Sequence, residues 1–218
     1  MDGLGKFGWT GVDLFFVLSG YLIASQLFKS ITQSGSIFLK DFILKRAFRI
    51  IPAYLFIVAL YFLFPLLHER EALAPLWKYL TFTQNIGLDV RSQGTFSHAW
   101  SLCLEEQFYL LFSLVLLLLL RFKLFKQSAV LLLLLFVASF LIRLYSWHNL
   151  VSPFATADNF PIIWYKWIYY PPWCRTDGLI FGVTIAALVQ FKPAVMAKVQ
   201  KYGNPCLVLS LHVLIFCA

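Results

Sequence analysis

The chain has 218 residues, of which 61% are hydrophobic and 13% are charged, with 18 lysines and arginines against 10 acidic residues. A soluble domain carries about 25% charged residues, so this apolar excess excludes a soluble globular protein and indicates an integral membrane protein. The formal net charge of +8 is not arranged as a basic stripe interleaved with aromatic residues, which argues against nucleic acid as a partner.

Hydropathy predicts an all-α, polytopic transmembrane helix bundle. A spanning helix needs about 20 mostly apolar residues. The candidate runs, in chain order, are 11–28, 48–67, 101–120, 128–145 and 176–191, with a shorter sixth run at 205–218. The segment 72–82 is short and aromatic, which favours a position at the membrane interface. We therefore expect about six helices.

The charges predict how these runs are oriented. When successive loops are placed on alternate sides, one side holds 11 positive residues and a single acid, Asp41. By the positive-inside rule this side faces the cytoplasm, so the N-terminus of the chain is expected on the outer side. Residues 1–10 show no signal peptide, which favours an internal portion of a longer bundle with a helix before it.

Charged residues mark the first two runs. Asp13 lies in GVDLFFVLSGYLI (11–23) and shares a helix face with Gly20, where a neighbour could approach closely. This aspartate either caps the helix start or is a functional intramembrane carboxylate. Arg46 and Arg49, in LKRAFRIIP (44–52), share a helix face and either grip a phosphate together or anchor the helix at the cytoplasmic side.

Two adjacent glutamates, Glu105 and Glu106, stand at the mouth of an apolar run in TFSHAWSLCLEEQFYLL (95–111). Ionised carboxylates beside hydrocarbon are costly. The dipole of a helix would stabilise a carboxylate in its first turn, and Ser101 could cap that helix. His98, seven residues before Glu105, would supply the other half of an acid/base pair. Structure and function both remain open for the pair on these grounds.

A fourth charged motif is WCRTDGLIFG, residues 173–182. Arg175 and Asp177 precede Gly178 and Gly182, whose spacing favours close helix packing. The charges are either a structural ion pair above this glycine face or partners for the carboxylates of the earlier runs.

The remaining residues indicate no metal centre. The sequence has no HExxH, P-loop or GxGxxG pattern. Its cysteines are dispersed, without a CxxC pair, and are interpreted as small helix residues: Cys103, Cys174, Cys206 and Cys217. The loop 146–173 is rich in tryptophan, tyrosine and proline, which suits an interfacial belt or a platform that stacks sugars.

Taken in order, these motifs resemble acyltransferase family 3, a family of polytopic membrane acyltransferases. GVDLFFVLSGYLI is similar to the second helix of that family, and KRAFRIIP to its RxxR segment. HAWSLCLEEQFYLL is similar to its W-S-L-x-x-E-E-Q-F-Y signature, and RTDGLIFG to its later R-x-D-x-x-x-x-G helix. The resemblance covers most of residues 8–185. It implies about ten helices and transfer of a short acyl group from cytosolic acyl-CoA to a cell-envelope carbohydrate.

The resemblance also implies residue roles. Arg46 and Arg49 match arginines thought to engage the CoA-bearing donor. The catalytic candidates are Glu105, Glu106, His98 and Asp13. The residues implied in substrate binding or structural support are Ser101, Trp100, Arg175 and Asp177. In the family, the histidine regarded as catalytic lies on a first helix that this sequence does not contain, and the family continues beyond residue 218.

The sequence therefore predicts a single transmembrane acyltransferase domain over residues 1–218, partial with respect to the family fold, in a bacterial inner membrane. The expected donor is acetyl-CoA or another acyl-CoA, without a metal. The expected partners are membrane lipid and a carbohydrate acceptor, without nucleic acid. Two alternatives stay open: a transporter or flippase whose charges line a path, and an inactive, truncated acyltransferase.

Overall fold

Helices make up most of the part of the protein that its computed structural model describes, residues 8–205, 207–208 and 210. The α-helices are α1 (Gly8–Ser34), α2 (Leu39–Leu63), α3 (Leu76–Leu80), α4 (Val90–Gln93), α5 (Trp100–Arg121), α6 (Ser128–Ser146), α7 (Phe160–Trp164), α8 (Pro172–Arg175), α9 (Asp177–Phe191) and α10 (Pro193–Lys201). Single turns of 3-10 or π geometry connect several of them. The prediction of an all-α fold is confirmed.

Four helical segments of the described chain are long and apolar enough to cross a membrane. They are Gly11–Ser34, Leu39–Leu63, Ser97–Arg121 and Phe125–Phe154. Helices α9 and α10 meet at 114° and would form a fifth span if they count as one broken helix. The chain is thus a multi-pass membrane protein. The predicted sixth run, 205–218, lies almost entirely outside the described residues.

The start of α2 differs most from the hydropathy prediction. The predicted run 48–67 begins nine residues later than the helix, which starts at Leu39 and ends at Leu63. Lysines and arginines in the first turns lower the mean hydropathy of this stretch, although both are good helix formers. Arg46 and Arg49 both lie inside the helix, although only Arg49 fell within the predicted apolar run.

The short aromatic segment 72–82 contains only the five-residue helix α3, Leu76–Leu80, which cannot span a bilayer. Its Tyr79 is buried in an apolar cluster with Tyr54 of α2 and Phe96, just before α5. The Tyr54 hydroxyl donates a hydrogen bond to the Tyr79 carbonyl oxygen, at 3.1 Å. Aromatic packing and buried polar contacts therefore fix the loop between α2 and α5 against α2.

The contacts of the chain divide it into two compact units. One comprises Met1–Gly35 with Gly178–Ala218, and the other comprises Ser36–Asp177. In the first unit, a Cβ placed on Gly20 would collide with the carbonyl oxygen of Leu179, and one on Gly182 with that of Val17. Helices α1 and α9 thus pack backbone against backbone, which confirms the predicted close approach at these glycines. The candidate site described next lies within the second unit.

Candidate active site

The paired glutamates of α5 lie in its second turn. Because α5 begins at Trp100, no acidic residue occupies its first turn, and the N-cap residue Ala99 makes no side-chain capping bond. The two local explanations, a helix dipole acting on a first-turn carboxylate and a cap by Ser101, are therefore wrong. Glu105 is only 4% exposed and Glu106 is half-buried, so the surroundings of both carboxylates are set by tertiary packing.

Arg46 offsets part of the charge of Glu106. The two residues line one small cavity of about 170 Å³, and their charges interact. The guanidinium carbon of Arg46 also lies 3.9 Å from the centroid of the Tyr109 ring, one turn further along α5. Among the described residues, the Oε1 atom of Glu106 is buried without a hydrogen-bond partner. Arg46 is thus engaged by α5 through a charge and an aromatic face.

Arg49 lines a different and larger cavity, of about 810 Å³. Its polar lining consists of Arg49, Tyr61, Glu69 and His98 together with the buried Tyr54, and the rest of the wall is mostly aliphatic. The predicted clamp in which Arg46 and Arg49 hold one phosphate together is not assembled, because each arginine lines its own cavity. The structure instead brings Arg49 and His98 to one space.

His98 faces the carboxylate of Glu69. Its Nδ1 atom lies 3.9 Å from Oε2 of Glu69, and their side chains are 63% and 52% exposed. The other oxygen of Glu69, Oε1, accepts a hydrogen bond of 2.7 Å from the Tyr61 hydroxyl. Glu69 and Tyr61 were not among the candidates from sequence. The only signal was the charged stretch HERE (68–71) directly after an apolar run.

An unusual backbone conformation precedes His98. Phe96 has φ 57° and ψ 26°, in the left-handed region that a bulky residue rarely adopts. Its ring packs against Tyr61, with centroids 4.9 Å apart, and edge-on against the His98 ring, also at 4.9 Å. Strain of this kind persists where the surroundings fix it, and it concentrates at functional sites.

Trp100 and Arg175, both predicted as supporting residues, lie together. The guanidinium carbon of Arg175 is 5.9 Å from the Trp100 ring centroid and 5.1 Å from that of Tyr169. Trp100 in turn packs on Tyr169, at 4.6 Å. Several aromatics of the loop 146–173 therefore pack on one another and on α5. Burial among them raises the pKa of the neighbouring Tyr170.

Asp177 pairs with Arg143, which was not among the residues predicted from the sequence. The Nη2 atom of Arg143 donates to Oδ2 of Asp177 at 2.6 Å, and Nε donates to the Cys174 carbonyl oxygen at 3.1 Å. The bond between Arg143 and Asp177 joins the end of α6 to the first residue of α9. An arginine in the strongly apolar stretch 129–145 was the available signal, because charges inside a membrane span are matched or functional.

The other predicted residues have less specific surroundings. Asp13 is exposed in the second turn of α1 and does not cap it, because the helix already begins at Gly8. It belongs to the first unit. Ser101 is half-buried in α5. Cys103 and Cys174 are buried free thiols, in keeping with their interpretation as small helix residues, whereas Cys206 and Cys217 lie outside the described residues. No group of three or more potential metal ligands occurs in the described chain.

The chain is similar to known acyltransferases, both by family model and by individual relatives. A family model described as an acyltransferase domain, that of acyltransferase family 3, matches residues 6–217. The O-acetyltransferase OatA of Staphylococcus aureus strain NCTC 8325 / PS 47 is 41% identical over 133 residues, covering 53% of this chain and 21% of the relative. The OatA proteins of strains COL and MRSA252 give the same values. The match thus spans about a fifth of the length of these relatives. No solved structure matches.

Proposed function

Because the chain belongs to acyltransferase family 3, we propose that it acts as a membrane O-acyltransferase. The reaction moves acetyl or another short acyl group from acyl-CoA to a hydroxyl of a cell-envelope carbohydrate. The similarity to proteins named O-acetyltransferase supports the acetyl group. The observation that carries the proposal is the 810 Å³ cavity, in which an arginine of a spanning helix shares one space with a histidine and a carboxylate.

Arg49 is the donor-binding residue in this proposal. It is exposed, and its guanidinium suits a CoA phosphate, which it can bind with two parallel hydrogen bonds. Arg49 lies ten residues after the start of α2, or roughly 15 Å along the helix axis. The acyl-CoA enters from the cytosolic side, where α2 begins by the positive-inside count. Arg46, predicted with it as a donor ligand, contributes indirectly by holding α2 against α5.

Within this chain we assign the role of general base to His98, because it is the histidine that lines this cavity; the family resemblance implies a further catalytic histidine on another helix. The acceptor hydroxyl gives its proton to His98 while its oxygen attacks the thioester carbonyl carbon of the donor. The carbon–sulfur bond then breaks, and the CoA thiolate leaves and takes a proton from the imidazolium. The residues that line this cavity, within the described part of the chain, include no serine, cysteine or lysine. We therefore favour direct transfer over a covalent acyl-enzyme.

The remaining predicted roles stay proposals. Glu105 and Glu106 are proposed to stabilise charge during transfer, with Glu106 acting in concert with Arg46, and Asp13, in the first unit, stays a predicted catalytic residue. Trp100 and Arg175, which contact each other, are proposed to support the site, as are Asp177 through its bond to Arg143 of α6 and Ser101 at the start of α5. We propose a bacterial plasma membrane location, with the start of this chain outside, lipid around the bundle, and no metal.

The test uses the full-length protein in membrane vesicles, with labelled acetyl-CoA and cell-envelope glycan. Arg49→Ala removes the donor contact, and we expect the KM for acetyl-CoA to rise about 10- to 100-fold, because a hydrogen bond to a charged group contributes about 1.5–3 kcal/mol. Arg49→Lys is intermediate. Lys45→Ala, an exposed position on the same helix, is the matched control and leaves the KM unchanged.

Two outcomes would contradict these proposals separately. Absence of labelled acetyl on glycan with the unaltered protein rejects the acyltransferase function and favours a transport role. Normal transfer with an unchanged KM in Arg49→Ala rejects only the donor site.

A further inference from the structure

The carboxylate of Glu69 bridges two side chains of the large cavity. Its Oε1 atom accepts the Tyr61 hydroxyl at 2.7 Å, and its Oε2 atom lies 3.9 Å from Nδ1 of His98. The two oxygens of the Glu69 carboxylate therefore face different side chains, Tyr61 and His98. A carboxylate held on one side by a hydroxyl and facing an imidazole on the other is the arrangement that orients a basic histidine.

The backbones on both sides of this bridge are tied together. The Thr95 hydroxyl donates to the Arg70 carbonyl oxygen at 3.0 Å and accepts from the Arg70 amide at 3.1 Å. These bonds join the neighbour of Glu69 to a residue three positions before His98. In addition, His68 Nε2 hydrogen-bonds the carbonyl oxygen of Tyr61, at 2.8 Å. Glu69 and His98 are thus held near each other although 29 positions separate them in the sequence.

The aromatic neighbour of the His98 ring is held in place by its own packing. Phe96, in its left-handed conformation, places its ring between Tyr61 and His98, with both centroids at 4.9 Å. With Nδ1 facing the carboxylate, the proton of neutral His98 is favoured on Nδ1. Nε2 then carries the free lone pair that a general base requires.

We propose that Glu69 is a positioning residue for His98, and that Tyr61 holds Glu69 in place. This inference rests on the proposed role of His98 as general base. Glu69 fixes the tautomer with Nε2 unprotonated and aims that nitrogen at the acceptor hydroxyl. When the proton reaches Nε2, the ring becomes an imidazolium whose charge attracts the Glu69 carboxylate. The 3.9 Å separation closes at that point, so the contact is strongest in the transition state.

The experiment is a double-mutant cycle in the full-length protein, reconstituted in membranes and assayed with radiolabelled acetyl-CoA. His98→Gln should lower kcat by about 100- to 10,000-fold, the usual contribution of a general base. Glu69→Gln should lower kcat by about 10- to 100-fold with the KM for acetyl-CoA within twofold, because it loses part of that contribution. Combined with His98→Gln, it should cause no further loss.

Controls separate this role from a structural one. Glu71→Gln removes an equal charge two residues away, at an exposed position, and should leave kcat unchanged. Tyr61→Phe removes only the hydroxyl and replaces Glu69→Gln in the cycle if that variant does not accumulate in membranes.

The outcomes test the positioning role of Glu69 separately from the general-base role of His98. If Glu69→Gln lowers kcat by the same factor with and without His98, Glu69 acts independently and the inference is wrong. If His98→Gln keeps full activity, the general-base assignment fails, while transfer by the unaltered protein would still uphold the acyltransferase function. A loss in Glu69→Gln that vanishes in the His98→Gln background supports the inference.

Discussion

Replacing Arg46 by methionine tests whether this arginine compensates a charge inside the bundle. The substitution leaves the Glu106 carboxylate, whose Oε1 atom is buried without a hydrogen-bond partner among the described residues, in a cavity of about 170 Å³. Breaking a fully buried ion pair costs about 3–5 kcal/mol. Glu106 is only half-buried, so we expect about 1–2 kcal/mol, and the lost contact with the Tyr109 ring adds roughly 0.5–1 kcal/mol.

The measurement is thermal unfolding of the purified protein in detergent, followed by tryptophan fluorescence. A loss of 1.5–3 kcal/mol corresponds to a decrease in Tm of about 3–12 °C for a protein of this size. Adding Glu106→Gln should restore most of the loss, because the stranded charge is then gone. Lys45→Met, which removes an exposed charge from the neighbouring position, should shift Tm by no more than about 2 °C. Strictly additive effects of Arg46→Met and Glu106→Gln would refute the pairing.

Three further predictions concern helix packing at Gly182, the Arg143–Asp177 pair and the buried Cys174 thiol. Gly182→Ala should lower stability by about 1–3 kcal/mol, because the new Cβ overlaps the α1 backbone, whereas Gly11→Ala, which meets nothing within 4 Å, should be neutral or stabilising in the same unfolding assay. Arg143→Leu should lower Tm more than Asp177→Asn, because the arginine also bonds the Cys174 carbonyl oxygen; equal decreases would contradict this. Burial raises the pKa of the Cys174 thiol, so iodoacetamide at pH 8 should modify it more slowly than free cysteine, and faster modification would show that the thiol is accessible.

The helices could be predicted from the sequence because their apolar runs are long. Helix α6 was placed within one residue at its C-terminal end, and α9 within one residue at its start. Composition alone fixes such segments, since a run of about 20 apolar residues has few alternatives in a membrane protein. The prediction was wrong by nine residues at the start of α2, where charged residues form part of the helix and hydropathy carries no information about them.

The site was only partly predictable because its contacts are distant in sequence. His98 was a candidate, but its partner Glu69 lies on the other side of a loop that includes α3 and α4. What joins them is a left-handed Phe96 and two hydrogen bonds between Thr95 and Arg70. A bulky residue with positive φ has no local sequence signal, because tertiary packing has to impose it.

The different roles of Arg46 and Arg49 follow from helix geometry. Residues three apart on an α-helix are separated by about 60° around its axis, and the sequence alone suggested that both side chains could hold one phosphate. The two arginines of helix α2, however, line two different cavities. Because their side chains leave the helix about 60° apart, Arg46 reaches the cavity that Glu106 lines and Arg49 reaches the one that His98 lines. One RxxR motif can therefore combine two functions. Loss of Arg46 should appear first as lost stability, and loss of Arg49 as a raised KM for the donor.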